Sequence, residues 1–565
     1  MKVVKTVRKE LPSNSFVQQE LSTINTPLRD EVVLVAEEYS KELISLKKKE
    51  SVVAVDEVAS GVAKFYEKVR KIIDWKDDNA LRRGAIERIL KRILFPKMMG
   101  VSLKSHDPNE LARTVTTELV RGGHLPNHEI PQSRMEIVAV ALKKYLFFLD
   151  HVYGSSGASE VKKTNSLSTF IMEIAACEIE EILTRPVKEY GVMNAMSNIL
   201  YERIDIKPEG SLSNTEKMDL IRISVQRKLY HLDDNYVTYQ YLKSKYPQWL
   251  NPTQEEMKWF AENISYIKEN TQEYINRKVN KEFDEISEQV STVFMLLGDV
   301  FDGLKGNPEG MVEAVNDRGK FQSLMAEAYS KRHATLKTRL KNSAVFSTLS
   351  VFISNWATFY LFEVPLAHLF YEEFNRFATI VDFLLPALIM FLLIIFIKPP
   401  KEDNVNKVMS AAQNMLYQDQ EYDAFEIKLE EKRSSVGKIF VNLFYLISTV
   451  LAFAGIAAIF YVAKLPITSV VYDTLTIAIT IYAAVVVRKD SKELYVGNDR
   501  NFKDFMFDVI TVPIAKVGLF LSKKWKEYNI VAAFTNFLVE IPFAAILDFI
   551  ELWSAFIKER KSELR

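Results

Sequence analysis

The sequence predicts an all-α protein: a cytoplasmic helical domain with one long helix, then a four-helix transmembrane region and a C-terminal amphipathic interfacial helix. Three observations lead there. Residues 377–397, FATIVDFLLPALIMFLLIIFI, form an almost unbroken apolar run followed at once by Lys398, Pro399, Pro400 and Lys401. A bilayer core of about 30 Å takes roughly 20 apolar residues in helix, because lipid offers backbone groups no hydrogen-bond partner. Charged residues crowd the first 340 positions, whereas most of the apolar excess lies after Ala344. Within the charged part, apolar residues recur at helical spacing and no run of alternating strands appears.

The 565 residues suffice for two or more domains, and the part before the membrane region can bury a core of its own. Lys and Arg balance Asp and Glu at 73 each, so global charge points to neither nucleic acid nor an acidic substrate. A single cysteine, Cys177, excludes an intramolecular disulfide and fits a reducing compartment. The start, MKVVKTVRKELPSNS, has no apolar signal core, so insertion is expected to use internal spans.

Residues 1–25 are polar and read as a mobile arm. The helical domain occupies 26–250. Its helices are expected near 28–49, 56–75, 79–94, 108–121, 133–153, 166–183, 186–201 and 215–232, with glycine and proline between them. The helix at 79–94 is the most basic, with Arg82, Arg83, Arg88, Lys91 and Arg92 set opposite Ile86, Leu90 and Ile93. Its charged side reads as a solvated bundle face diluted by Asp74, Asp77, Asp78 and Glu87. A long helix and juxtamembrane connector fill 251–343. Thr253 and Glu256 form a capping box, and apolar positions from Phe260 to Leu297 keep helical spacing, so one helix of about 65 Å is expected. Gly298, Gly303, Gly306 and Gly310 are expected to end it.

The transmembrane region, 344–487, holds spans at about 344–362, 377–397, 439–463 and 467–487. Lys331, Arg332, Lys337, Arg339 and Lys341 precede the first, the loop 398–438 is rich in lysine, and Arg488 and Lys489 follow the fourth. By the positive-inside rule both termini are cytoplasmic and the chain is a multipass protein of the inner membrane. Ala454 and Ala458, with Thr476, Thr480 and Ala484, are expected to make a close seam between the third and fourth spans. The cytoplasmic tail, 488–565, contains an apolar stretch at 529–558 in which Asn536, Glu540, Asp548 and Glu551 share a sector, as in an interfacial helix; 505–521 is its expected companion.

Candidate chemistry is sparse. His124 and His128 stand four apart beside Glu129, but Pro126 interrupts the helix that would align them as metal ligands. Cys177, in EIAACEIEEIL, reads as a buried helix cysteine. The stretch GDVFDGLKGNPEG misses the lysine of a phosphate loop; its Gly303-Leu304-Lys305-Gly306 fits a nucleic-acid clamp only in a fold with strands, so it reads as a helix terminator and hinge. Tyr230, Tyr236, Tyr239, Tyr241, Tyr246 and Trp249 read as core or interface packing. Neither catalytic groups nor a metal or cofactor are assigned. Asp382, Asp473 and Asn355 form the candidate intramembrane polar site, since an ionisable group in a span calls for a partner or a polar cavity. Lys337, Arg339 and Lys341, together with Lys523, Lys524 and Lys526, are the candidate contacts to anionic headgroups.

Five stretches, VDEVASGVAKFYEKVRKIIDW with AIERILKRIL, EAYSKRHATLKTRL, FLLPALIMFLLIIFI and VEIPFAAILDFIELWSAFIKERKSEL, together resemble a family of uncharacterised multipass membrane proteins from bacteria of reduced genome size. The resemblance implies architecture alone. The reading that follows is a non-enzymatic, membrane-anchored helical interaction platform, whose partners are the lipid bilayer, proteins docking on the cytoplasmic domain and further copies of the chain, with no nucleic acid. The alternative is an oligomeric transporter or channel component with Asp382 and Asp473 on its pathway.

Overall fold

A computed structural model describes residues 5–10, 27–46, 78–98, 107–154, 161–358, 360, 376–395, 397, 399–401, 404–418, 421–429, 435–462, 467–496, 502–527, 549, 553, 556 and 557. Among the described residues the fold is all-α apart from one small sheet. The chain divides into two compact units, residues 1–316 with 416–427 and 537–565, and residues 317–415 with 428–536.

The first unit is built from helices α1 (Asp30–Leu46), α2 (Asp78–Met98), α3 (Pro108–Arg121), α4 (Gln132–Gly154), α5 (Val161–Thr184), α6 (Val187–Arg203), α7 (Asn214–Leu229), α8 (Asp234–Lys245), α9 (Gln254–Ile275), α10 (Asn280–Gly303) and α11 (Met311–Asn316). The expected helix at 56–75 lies outside the described residues. Local sequence sets several starts: the Asp107 carboxylate caps α3 ahead of Pro108, and Ser213 with Glu216 makes a capping box for α7. One continuous core joins α2, α3, α4, α5, α8 and α9 through Leu90, Val115, Leu142, Phe148, Ile174 and Ile267. On the other side α1 lies along α6, and Gly191 permits the approach, because a Cβ there would stand 2.9 Å from Val35 Cγ1.

The single long helix expected from Thr253 to Leu297 is two helices. The Thr253–Glu256 capping box opens α9 as the spacing predicts. The helix then stops at Asn276, because the buried Asn280 side chain donates to the Ile275 carbonyl at 2.6 Å and the Tyr274 carbonyl at 3.3 Å, satisfying the last turn of α9 as α10 begins. Apolar spacing continues through this corner, so periodicity cannot reveal it. Gly298 does not end a helix either. It lies within α10, where a Cβ would come 3.3 Å from the Tyr230 hydroxyl.

Strands β1 (Lys5–Glu10), β2 (Ile204–Lys207) and β3 (Glu421–Lys428) form a sheet of order β1-β3-β2. Residues 5–10 of the expected mobile arm are thus a strand, antiparallel to β3 with Lys5 opposite Glu426 and Glu10 opposite Glu421. The pairing partner lies over 400 residues away, which a local reading cannot see.

The second unit contains α12 (Arg318–Thr358), α13 (Arg376–Ile395), α14 (Asn404–Leu416), α15 (Ser435–Val462), α16 (Ile467–Ser491) and α17 (Phe502–Glu527). The four apolar runs fall in α12, α13, α15 and α16, and the first three contain residues outside the described set. Over the described residues, no helix is long and apolar enough to cross a membrane. The unit's core gathers Ile477, Ala478, Ile481, Ile514 and Ala515, with Leu385, Ile389, Phe453 and Ile456 packed against them.

The close seam is not between the third and fourth runs. Ala454 and Ala458 are exposed on α15, while Ala484 of α16 is buried with Met390 and Ile394 of α13. Helix α16 meets α17 closely, since a Cβ on Gly518 would overlap the Ala478 carbonyl. Residues 505–521 lie within α17, which packs against α16 and α15. Of the expected interfacial helix at 529–558, only Phe549, Trp553, Phe556 and Ile557 are described, all exposed.

Candidate functional site

Helix α5 organises the polar interior of the first unit. Its sequence EIAACEIEEIL places Glu173, Cys177, Glu178, Glu180 and Glu181 so that they meet three neighbouring helices at once. Arg83 of α2 donates to Glu180 at 2.7 Å and to Asp233 at 2.8 Å, and Arg82 reaches Glu180 at 3.2 Å and the His124 carbonyl at 2.9 Å. The basic helix is therefore not a solvated face at its N-terminal end: Arg83 is 5 % exposed, and its acids come from α5 and the start of α8 rather than from nearby sequence. Burial pulls the Arg83 guanidinium down, and Glu180 and Asp233 more than offset it.

Two residues back on α5, Glu178 meets Lys144 of α4, which donates to both Glu178 oxygens at 2.8 Å and to the Trp249 carbonyl at 2.7 Å. The Tyr145 hydroxyl donates to Glu178 at 2.6 Å. Burial pushes Glu178 up and Lys144 down, while each draws the other back toward its charged form and the Tyr145 hydroxyl also favours the Glu178 carboxylate. Around the pair, Tyr145, Phe148, Trp249 and Phe260 form an aromatic cluster with centroids 5.1 to 6.4 Å apart. The tyrosine-rich stretch thus packs in the core, as expected: Tyr236, Tyr239 and Trp249 are buried, and Tyr241 stacks on Tyr274 at 4.6 Å. Cys177 is 1 % exposed and burial pushes its thiol far up, so the thiolate a nucleophile needs is disfavoured.

Arg82, Arg83, Glu180 and Glu181 form one wall of a cleft of about 550 Å³ lined by α1, α2, the loop after α3, the C-terminal end of α5, α6 and the end of α10. Tyr39, Glu42, Arg134, Lys188, Glu189 and Asp302 contribute to its lining. Cations and acids alternate around it. Lys188 pairs with Asp302 at 2.6 Å and Glu189 at 3.2 Å, and Arg134 donates to the Leu183 carbonyl at 2.7 Å. His124 and His128 fall in the loop after α3, and His128 is exposed with φ of 64°. Among the described residues, no group of three or more histidine, cysteine or acidic side chains is arranged to hold a metal. The glycine stretch 298–310 contributes Asp302 and Lys305 to the cleft, a role its near-match to a phosphate loop does not suggest.

The candidate residues of the second unit are distributed differently. Asn355, Asp382 and Asp473 lie on α12, α13 and α16, and α13 packs against both of the others; their side chains lie outside the described ones. Those of Lys523, Lys524 and Lys526, near the end of α17, do too. Lys337 and Lys341 are exposed on α12. Arg339 instead pairs with Glu493, which Arg332 also holds at 2.8 Å. Burial raises the Glu493 carboxyl and the two arginines outweigh it, holding it below the usual range. Beside them the Asn404 amide donates to the Leu494 carbonyl at 2.7 Å, and His333 meets the Pro400 carbonyl at 2.8 Å. This polar clamp ties α12, α14 and the chain just after α16 together. Neither a protein-family model, a curated protein nor a solved structure matches the chain.

Proposed function

We propose that the chain is a membrane-anchored helical interaction platform, the second unit standing in a bilayer and the first recruiting a protein partner. The observation that carries this is the distribution of exposed large apolar side chains. On helices α1 to α11 of the first unit they are scattered: Leu34 on α1, Ile137 and Val140 on α4, and Trp259 on α9 stand over a closed core. In the second they line whole helices: Leu388, Phe391 and Ile395 on α13, and Ile439, Leu446, Val450, Leu451 and Val462 on α15, the last of these 80 % exposed. Scattered apolar residues need no explanation, but a continuous apolar face of this extent calls for a non-aqueous neighbour. The sequence runs agree, since each is long for a buried helix core and the second, third and fourth are followed at once by Lys398, Lys464 and Arg488.

The cleft of the first unit supports recognition better than catalysis. Its charges are paired with one another, and a partner with alternating charges can exchange these pairs for its own at little electrostatic cost. Membranes from cells expressing the full chain, washed with alkaline carbonate, test the anchor: the chain is expected in the pellet until detergent is added, and its release by carbonate would overturn the reading. Removing residues 26–340 is expected to leave the shortened chain in that pellet while binding of a partner to the platform is lost.

A further inference from the structure

Helix α17 carries a relationship that the sequence does not announce. Arg488, near the end of α16, donates to Asp508 at 2.5 Å, and its guanidinium lies 4.2 Å from the Phe507 ring centroid. Farther along, Gly518 sits against the Ala478 backbone. The two marks are ten residues apart on both helices, about 15 Å of rise in each. As α16 is followed backward from Arg488 to Ala478, α17 runs forward from Asp508 to Gly518, so the helices are antiparallel and in register over this length. Thr511, Ala515 and Gly518, spaced four and three apart, are all buried. Small residues at that spacing let two helix backbones meet closely in lipid, where van der Waals contact replaces the hydrophobic drive. The Ser448 hydroxyl of α15 donates to the Val509 carbonyl at 3.0 Å, so α17 is also tied to a second helix of the apolar layer.

We infer that α17 is itself a membrane-crossing helix, a fifth span lying antiparallel to α16, with its outward face, including the exposed Phe520, against acyl chains. The inference rests on the membrane reading above and corrects the expectation that 505–521 lies on the cytoplasmic leaflet. Residues 505–521 reach about 25 Å in helix, near the lower limit for a span. Arg488 and Asp508 then lie as a pair about one turn inside one boundary of the layer, sparing each other an unpaired charge among the acyl chains. Lys516 is the unfavourable residue: it is exposed near the level of Gly518, and a crossing helix tolerates it through its long aliphatic stem, which lets an ammonium reach toward a polar boundary. Lys523, Lys524 and Lys526 meet the headgroups of the leaflet opposite the one that Arg488 marks.

The test is sidedness at the two ends of the α16–α17 hairpin. Lys492→Cys and Glu527→Cys are introduced separately into the full chain carrying Cys177→Ser. If that background folds poorly, Cys177 is kept, since its buried thiol is shielded from the reagent. A membrane-impermeant maleimide is applied to intact cells and to inverted membrane vesicles, followed by a carbonate wash. A crossing helix predicts opposite sidedness: each cysteine is modified in one preparation and protected in the other. Modification of both in the same preparation, with the chain retained by the washed membrane, overturns the fifth span and leaves the anchor standing. Loss of the chain to the carbonate supernatant overturns both.

Discussion

Lys144 and Glu178 face each other in the interior of the first unit with both carboxylate oxygens 2.8 Å from the ammonium, and each is less than 5 % exposed. Removing one partner strands the other. Lys144→Met is expected to destabilise the first unit by about 3 kcal/mol, whereas Lys144→Met combined with Glu178→Leu costs less than the sum of the single changes. Thermal or urea melting of the single and double variants reads the coupling; additive losses would contradict it.

Glu173 sets a pH dependence. Burial, with a smaller push from Glu87, raises its carboxyl to about 7. For an acid raised above its unfolded value, the unfolded state loses its proton first, so stability falls as pH rises from the ordinary carboxylate range to about 7 and is level beyond it. Glu173→Gln removes the penalty. The variant is expected to melt higher than the parent at pH 8, by about 2 to 3 kcal/mol, and to match it near pH 4. An equal difference at both pH values would refute the assignment.

Asn280 closes the corner between α9 and α10 by satisfying two carbonyls from a buried position. Asn280→Ala leaves those carbonyls without their donor and is expected to cost about 1 to 3 kcal/mol. Because the flanking apolar spacing favours a straight helix, hydrogen exchange at residues 274–280 should rise in the variant beyond the rest of α9. Uniform protection across α9 would count against the corner role.

Gly518 admits the Ala478 backbone, and no side chain fits between them. Gly518→Ala is expected to separate α16 from α17 at a cost of about 1 to 3 kcal/mol, read as a lower melting temperature of the detergent-purified chain and greater protease sensitivity at 496–502. Gly455→Ala, whose Cβ meets nothing within 4 Å, is the matched control and should be silent.

Much of this architecture is local, and local physics reports it. The helices at 108–121 and 467–487 follow from a proline after a capping aspartate and from an apolar run with basic residues behind it, and the helices found begin and end within a few residues of those expectations. The capping box at Thr253 is legible because both of its partners lie within one turn. That Cys177 is buried and the tyrosine-rich stretch packs inward is legible from residue type and from the lack of a catalytic partner or basic groove in the surrounding sequence. What sequence spacing cannot carry is pairing across distance. The acids that neutralise Arg83 lie about 100 and 150 positions away on α5 and at the start of α8, so the helix reads as a solvated face until those elements are placed beside it.

By itself, then, the sequence determined the helical class, the division between a charged part and an apolar part, and most helix ends, because propensity, capping and hydrophobic period act within a turn or two. Only the tertiary structure decided that the long helix breaks at Asn280, that residues 5–10 pair with 421–426, that Arg339 serves Glu493, and that α17 meets α16 with Gly518 on Ala478. Each depends on which backbone or side chain arrives from a remote segment. Burial free energy and hydrogen-bond satisfaction are properties of that assembled arrangement, whereas periodicity records only that some face of a helix is covered.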